Sequence, residues 1–210
     1  MVIQLVVFDV DGTLTQHNSS WERLHEVFDV VEEGKKFYAQ YFAGEISYQE
    51  WADLDAGLWA GKPVSEIEKI AEETKLVLGA RETVQILKDR GINVAILSGG
   101  IDILANRVAQ QVGIDYVLVN KVHHENGILN GKIEVLVGWG GKAIEIRQII
   151  KHYETPLEET AFVGDGRNDI SVFGVVGLAI AFNPEHEEVA NAADVTIRDL
   201  DLRKILGHIK

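Results

Sequence analysis

The sequence predicts an α/β fold: a parallel sheet flanked by helices, interrupted by one inserted helical subdomain and one small β-hairpin flap. Three observations lead there. Short, solidly apolar runs recur along the chain and alternate with helix-period segments. A stretch of about sixty residues, from Ser19 to Leu78, carries helical pattern and no strand. Two Asn-Gly pairs stand among apolar and alternating residues between 119 and 137, the composition that tight hairpin turns require.

In chain order, the strand-length runs are Ile3 to Phe8, Asn93 to Leu97, Tyr116 to Val119, Thr160 to Val163, Leu178 to Phe182 and Val195 to Ile197. They consist almost entirely of Val, Ile, Leu and Ala, as strands covered on both faces must. Helical periodicity fills the intervals at Glu82 to Arg90, Asp102 to Val112, Lys142 to Tyr153, Asn168 to Val175 and Glu185 to Ala192, the last with Pro184 placed to start it. Strand alternating with helix means parallel pairing. The segment after the first strand is too long for a simple crossover and reads as a helical insertion, punctuated at Gly34, Gly44, Gly61 and Pro63. It holds nine of the sixteen aromatics, among them Trp21, Trp51 and Trp59, which form either the insertion's own core or the wall of a pocket facing the sheet. Asn126-Gly127 and Asn130-Gly131 place a hairpin flap after the third strand.

Composition narrows the function classes. With 46% apolar and 25% charged residues the chain matches an ordinary globular protein. A net charge of −13 repels DNA, RNA and acidic lipid, so neither a nucleic-acid nor a membrane partner is expected. The absence of cysteine excludes thiol catalysis and thiolate metal sites, and fits a cytoplasmic location. The N-terminus enters the apolar run Val2 to Phe8 without a basic leader, and that run ends in acids well short of a membrane span.

In an open parallel sheet the working groups collect at the carboxyl ends of the strands. Here the first strand empties into Asp9, Asp11, Gly12 and Thr13, the second into Ser98, Gly99 and Gly100, and the fourth into Gly164, Asp165, Gly166, Asn168 and Asp169. An isolated Asp-Gly after a strand is usually a turn. Asp9 and Asp11, two apart, can point at one site only if the chain curls at once, which Gly12 permits. Four carboxylates at neighbouring strand ends repel one another unless a cation joins them. With no cysteine or histidine in the cluster, the cation implied is hard and oxygen-seeking, Mg²⁺ before Zn²⁺. Ser98 offers a hydroxyl, and the Gly99 and Gly100 amides are expected at a helix start, where dipoles attract an oxyanion. Lys142 reads as a solvated helix-start lysine or as a charge that neutralises a phosphate oxygen. Gly138 to Lys142 is not a nucleotide P-loop, since Leu136 replaces the required glycine and Ala143 the Ser or Thr. Carboxylates, an anion-binding turn and a lysine together describe phosphoryl transfer.

The segments "VVFDVDGTLT", "AILSGG", Lys142 and "FVGDGRNDISVF" resemble, in order and approximate spacing, the four motifs of the haloacid dehalogenase (HAD) superfamily. The Ser-Gly-Gly and Gly-Asp-Gly-x-Asn-Asp forms, the helical insertion and the hairpin are most similar to its phosphoserine phosphatase branch. The resemblance implies a Rossmann-like core of residues 1–15 and 79–210 with a helical cap of residues 16–78. It implies a Mg²⁺-dependent phosphomonoester hydrolase acting on a small phosphorylated metabolite through an aspartyl-phosphate. Asp9 would be the nucleophile and Asp11 the general acid and then base. Mg²⁺ would be held by the Asp9 carboxylate, the Asp11 backbone carbonyl and Asp165, with Asp169 in support. Ser98, Gly99, Lys142 and Asn168 would hold the phosphoryl oxygens or the substrate, and Thr13 would orient Asp11. An acid at position 11 separates this chain from dehalogenases, which lack one there, and from transport ATPases, which carry Thr; phosphatases and sugar phosphomutases keep Asp. A sugar phosphomutase is therefore the alternative reading, and a receiver-type signalling domain a distant one, since its acceptor aspartate follows the third strand. An ungapped alignment puts Asn18 and Asp55 where the phosphoserine branch carries a glutamate and an arginine. Glu22 is near enough for a shifted register, but no arginine stands near Asp55, which argues against phosphoserine. Thirteen acids against six bases in residues 16–78, net −7, also disfavour a second anionic group on the substrate.

Overall fold

The computed structural model describes residues 2–210; the first residue of the expected 1–15 segment lies outside them. The chain runs β1 (Leu5–Phe8), α1 (Ser20–Val27), α2 (Val31–Phe42), α3 (Tyr48–Leu58), α4 (Val64–Glu73), α5 (Ala80–Asp89), β2 (Asn93–Ile101), α6 (Asp102–Val112), β3 (Tyr116–Glu125), β4 (Ile128–Glu134), α7 (Lys142–Tyr153), β5 (Thr160–Gly164), α8 (Ile170–Phe173), β6 (Leu178–Phe182), α9 (Glu187–Ala192) and β7 (Val195–Ile197). The seven strands form one α/β sheet in the order β4-β3-β2-β1-β5-β6-β7, parallel except for the β3–β4 pair. Among the described residues no helix is long and apolar enough to cross a membrane.

β1 is central and wholly buried because both its faces are covered. Alternation along it decides what each residue meets. Val6 and Phe8 join one core with Val84, Leu87, Ala105 and Val108 of α5 and α6, while Leu5 and Val7 join the other with Ile146 and Ile149 of α7. Successive connections leave β1 toward β2 and then return to β5 on its other side, so a crevice opens at the carboxyl ends between the two directions.

Helices α1 to α4 all fall between β1 and α5. Ser19 caps α1 by accepting the Glu22 amide, and a Ser47/Glu50 capping box starts α3, each satisfying amides that the first helical turn leaves unpaired. Trp59 closes α3 and is buried against Trp21 and His25, with ring centroids 5.2 and 5.8 Å away. The ends of this segment lie side by side: Gln16 N–H donates to the Lys75 carbonyl and Val77 N–H to that of Leu14.

Several boundaries differ from those the sequence predicts. β3 runs on to Glu125, so the flap is its continuation and β4 becomes the edge of the main sheet. Only Asn126-Gly127 makes the hairpin turn; Asn130-Gly131 lies inside β4, where Gly131 (φ +75°) sits in a left-handed kink against Ala60. β2 continues through Gly99 and Gly100 to Ile101, with a register shift against β3 after Ser98, so those amides precede the α6 start and do not form it. The expected helix from Asn168 is a 3-10 turn (Arg167–Asp169) followed by the short α8, because the Asp169 carboxylate draws the preceding amides around itself. Pro184 does not start α9, whose cap is His186; Asn183, at φ +46°, first turns the chain.

Candidate active site

Sheet register brings the motifs together. Phe8 pairs with Ile96 on one side and Val163 on the other, so Asp9 is one residue past the shared level and Ser98 and Asp165 are two. Asp9 shares the facing of Val7, the side covered by α7. Lys142 is one helical turn before Ile146 on the buried stripe of α7, which aims its ammonium at Asp9.

Lys142 is fully buried and joins two carboxylates, at 2.8 Å from Asp9 Oδ2 and 2.6 Å from Asp169 Oδ1. Burial alone would pull the lysine's pKa down, but the Asp169 and Asp9 charges outweigh it and hold it above its ordinary value. It therefore lies behind Asp9 and is no solvated surface lysine. Asp9 Oδ1 accepts the Val10 amide at 2.7 Å. Asp169 Oδ2 accepts the amides of Asp165 (3.1 Å) and Gly166 (3.0 Å). Burial pushes Asp169 up to about 6 despite Lys142. Asp165 is raised well above the carboxylate range by burial and by the charges of Asp169 and Asp9. Gly12 adopts φ +74°, and a Cβ there would fall on the Asp165 carboxylate, so both the curl and the close approach require glycine.

Carboxylate oxygens of Asp9, Asp165 and Asp169 lie within 4.8 Å of one another. Three carboxylates against one ammonium leave this buried cluster at net −2 when all are ionised, and the donors are all oxygen. That charge and chemistry fit a hard divalent ion such as Mg²⁺.

Thr13 does not orient Asp11. Its hydroxyl donates to Asp165 Oδ1 at 2.8 Å, and Asp11 is held instead by Ser20, whose backbone N–H and hydroxyl donate to Asp11 Oδ2 at 2.9 and 2.7 Å. Burial pushes the Asp11 carboxyl up to about 6, against the lowering effect of those two hydrogen bonds. Ser98 Oγ accepts the Gly100 amide at 3.1 Å.

A chamber of about 920 Å³ opens over these groups. Asp9, Asp11, Ser98, Gly99, Asp165 and Asn168 line its floor; Trp21, Tyr48, Trp51 and Trp139 line its walls. Both expected fates of the insertion's aromatics are realised, since Trp59 is core while Trp21 and Trp51 face the chamber. Asn18 donates to Glu185 across the rim, and Asp55 sits with its Oδ1 3.3 Å from His25 Nε2, both side chains buried. Besides Ser20, two further groups without an expected polar role hold the Ser98 turn. Trp21 Nε1 donates to the Gly99 carbonyl at 2.9 Å. Buried Asn120 bonds the Gly99 and Val137 carbonyls and the Leu136 and Val137 amides, fixing the loop that carries Trp139 beside the Ser98 turn. A polar residue ending an apolar strand run was the available signal for Asn120.

The sequence model of the haloacid dehalogenase-like hydrolases matches residues 3–177. The chain is 34% identical over 208 residues to a phosphoserine phosphatase of Methanocaldococcus jannaschii, covering 99% of this chain and 98% of that one. It is also 34% identical to a phosphoserine phosphatase of Archaeoglobus fulgidus, of whose length it spans 60%. A solved structure described as a phospho-aspartyl intermediate analogue of phosphoserine phosphatase matches with a TM-score of 0.85 at 34% identity, covering 100% of both chains.

Proposed function

Because the chain belongs to the haloacid dehalogenase-like hydrolases and is a phosphoric monoester hydrolase, we propose that it cleaves a small phosphorylated metabolite through an aspartyl-phosphate on Asp9, with Mg²⁺. The observation that carries this reading is the Asp9 carboxylate at the chamber floor, paired with buried Lys142 and flanked by Asp165 and Asp169. In this reading residues 16–78 are a cap over a core of residues 1–15 and 79–210.

An oxygen of Asp9 attacks phosphorus, splitting one hard displacement into two easier ones. Asp11, with a carboxyl pushed up to about 6, protonates the departing alcohol and afterwards takes a proton from the attacking water. Ser98, the Gly99 amide and Asn168 hold phosphoryl oxygens, and Lys142 aims Asp9 through their 2.8 Å ion pair. Asp9, the Asp11 carbonyl and Asp165 would hold Mg²⁺, with Asp169 in support through its bond to Lys142. When bound, the ion supplies positive charge that offsets the carboxylates and the phosphoryl group.

The relatives' names put phosphoserine at the head of the substrate panel. Its carboxylate would need Lys35 or Arg167, the two cations on the outer chamber wall, to leave Glu32 or Glu188. Phosphoserine is therefore to be assayed beside uncharged sugar and polyol phosphates. Asp9→Asn is expected to reduce phosphate release by a factor of about 10⁴ or more, and EDTA to abolish it until Mg²⁺ is restored. Substantial turnover in either condition rejects the mechanism.

A further inference from the structure

The group proposed as general acid is held from the insertion, not from the sheet. Asp11 Oδ2 accepts two hydrogen bonds, both from Ser20, the first residue of α1. Ser20 is only 2% exposed. The pair is packed against the Ser98-Gly99-Gly100 turn, since a Cβ on Gly100 would stand 3.0 Å from Ser20 Oγ and 3.3 Å from Asp11 Oδ2. The next residue, Trp21, fixes the same helix end to the Gly99 carbonyl. Two consecutive residues of α1 thus grip the acid and the anion-binding turn.

We propose that Ser20 is a positioning residue for the proton-transfer step. A protonated carboxyl has one oxygen that donates and one that only accepts. With Oδ2 occupied by two donors, the proton belongs on Oδ1, and the carboxyl torsion, otherwise broad and roughly two-fold, is fixed. Oδ1 is thereby the oxygen presented to the ester. Delivery of the proton also depends on α1 being docked, because a displaced helix takes Ser20 with it.

The inference rests on the hydrolase mechanism proposed above. In its first half, a bond forms between Asp9 and phosphorus as the bond from phosphorus to the leaving oxygen breaks, and the Asp11 proton passes to that oxygen. In its second half, water gives a proton to the Asp11 carboxylate as its oxygen bonds phosphorus, and the bond from Asp9 to phosphorus breaks. Ser20 keeps its own proton throughout.

The effect depends on the leaving group, which a merely structural role would not. A p-nitrophenolate leaves without needing a proton, whereas phenolate is a much poorer leaving group. The value of kcat/KM, which covers steps up to alcohol release, is to be measured on p-nitrophenyl and phenyl phosphate with Mg²⁺. The enzymes are wild type, Ser20→Ala, Ser20→Thr, Asp11→Asn and the Ser20→Ala/Asp11→Asn double variant. Ser20→Ala is expected to lose about tenfold more on phenyl phosphate than on p-nitrophenyl phosphate, part of the range typical of acid catalysis. Ser20→Thr, which keeps the hydroxyl, should recover most of that difference. In the Asp11→Asn background the alanine should cost nothing further, because Ser20 acts through Asp11. Equal losses on both esters, or additive losses in the double variant, overturn the proposal while leaving the hydrolase reading intact. A wild-type protein inactive on every phosphomonoester tried overturns both.

Discussion

Lys142 carries one positive charge between Asp9 and Asp169 where no water reaches it. Removing one partner of such a group strands the others without solvent, so Lys142→Met is expected to destabilise the protein by about 3–5 kcal/mol and to end turnover; urea denaturation beside a phosphate-release assay checks both. Asp165 is the opposite case. Its ionised form is disfavoured by burial and by two neighbouring carboxylates, so in EDTA at neutral pH it weakens the fold. Asp165→Asn should raise the metal-free melting temperature by a few degrees, about 2–4 °C per kcal/mol for a chain of this size, while removing the response to Mg²⁺. A lower metal-free Tm in that variant would contradict the account. Asp9, Asp11, Asp165 and Asp169 could be read from the sequence because they lie within a few residues of the carboxyl ends of apolar runs. Ser20 could not: Ser19-Ser20 before a helical pattern reads as a capping pair, and only the turn through residues 12–19 brings its hydroxyl to Asp11.

At the scale of elements, β4 serves two neighbours. It pairs with β3 along one edge, and beyond it the α3–α4 loop adds three backbone bonds: Gly61 to Leu129, Leu129 to Lys62 and Val64 to Gly127, each 2.8 Å. Phe42 and Trp51 of the insertion also meet Trp139 of the core, with ring centroids 5.3 and 6.3 Å apart. The amides of Gly61, Val64 and Leu129 are therefore expected to exchange with deuterium as one class, protected or released together. Early exchange at Gly61 and Val64 with Leu129 still protected would show that the hairpin and α3–α4 loop open separately. Strand existence was legible because doubly covered strands must be apolar throughout. The double use of β4 was not, since a second Asn-Gly pair resembles a second turn and nothing local announces a left-handed kink inside a strand.

For the whole molecule, the buried carboxylates tie stability to pH. Asp169 ordinarily titrates near 3.8 and is pushed up to about 6, so between those values the folded chain holds a proton that the unfolded chain releases. Stability is thus greatest below that window and falls as pH climbs through it. In EDTA the protein should melt higher at pH 5 than at pH 7. Mg²⁺ should raise Tm more at pH 7, where it meets ionised ligands. The net charge of −13 adds self-repulsion in the same direction, so the pH 5 to 7 difference is to be compared with that of Asp169→Asn, where it should shrink. An undiminished difference in the variant would assign the effect to general repulsion. Composition and four short motifs sufficed for the sheet, the helical insertion and the grouping of the chamber-floor residues; of the outer chamber, assembled from α1, α3 and the Trp139 loop, only the aromatic richness of the insertion was legible, because the rest depends on contacts between distant segments. Those contacts are unevenly distributed. One flank of the doorway is stitched by main-chain bonds to the sheet edge, whereas the opposite flank, where Lys35 and Tyr38 face out, has no stitching of that kind among the described residues. The α2 side of the chamber mouth is therefore held to the Trp139 loop by aromatic side chains, Phe42 against Trp139, and not by the backbone.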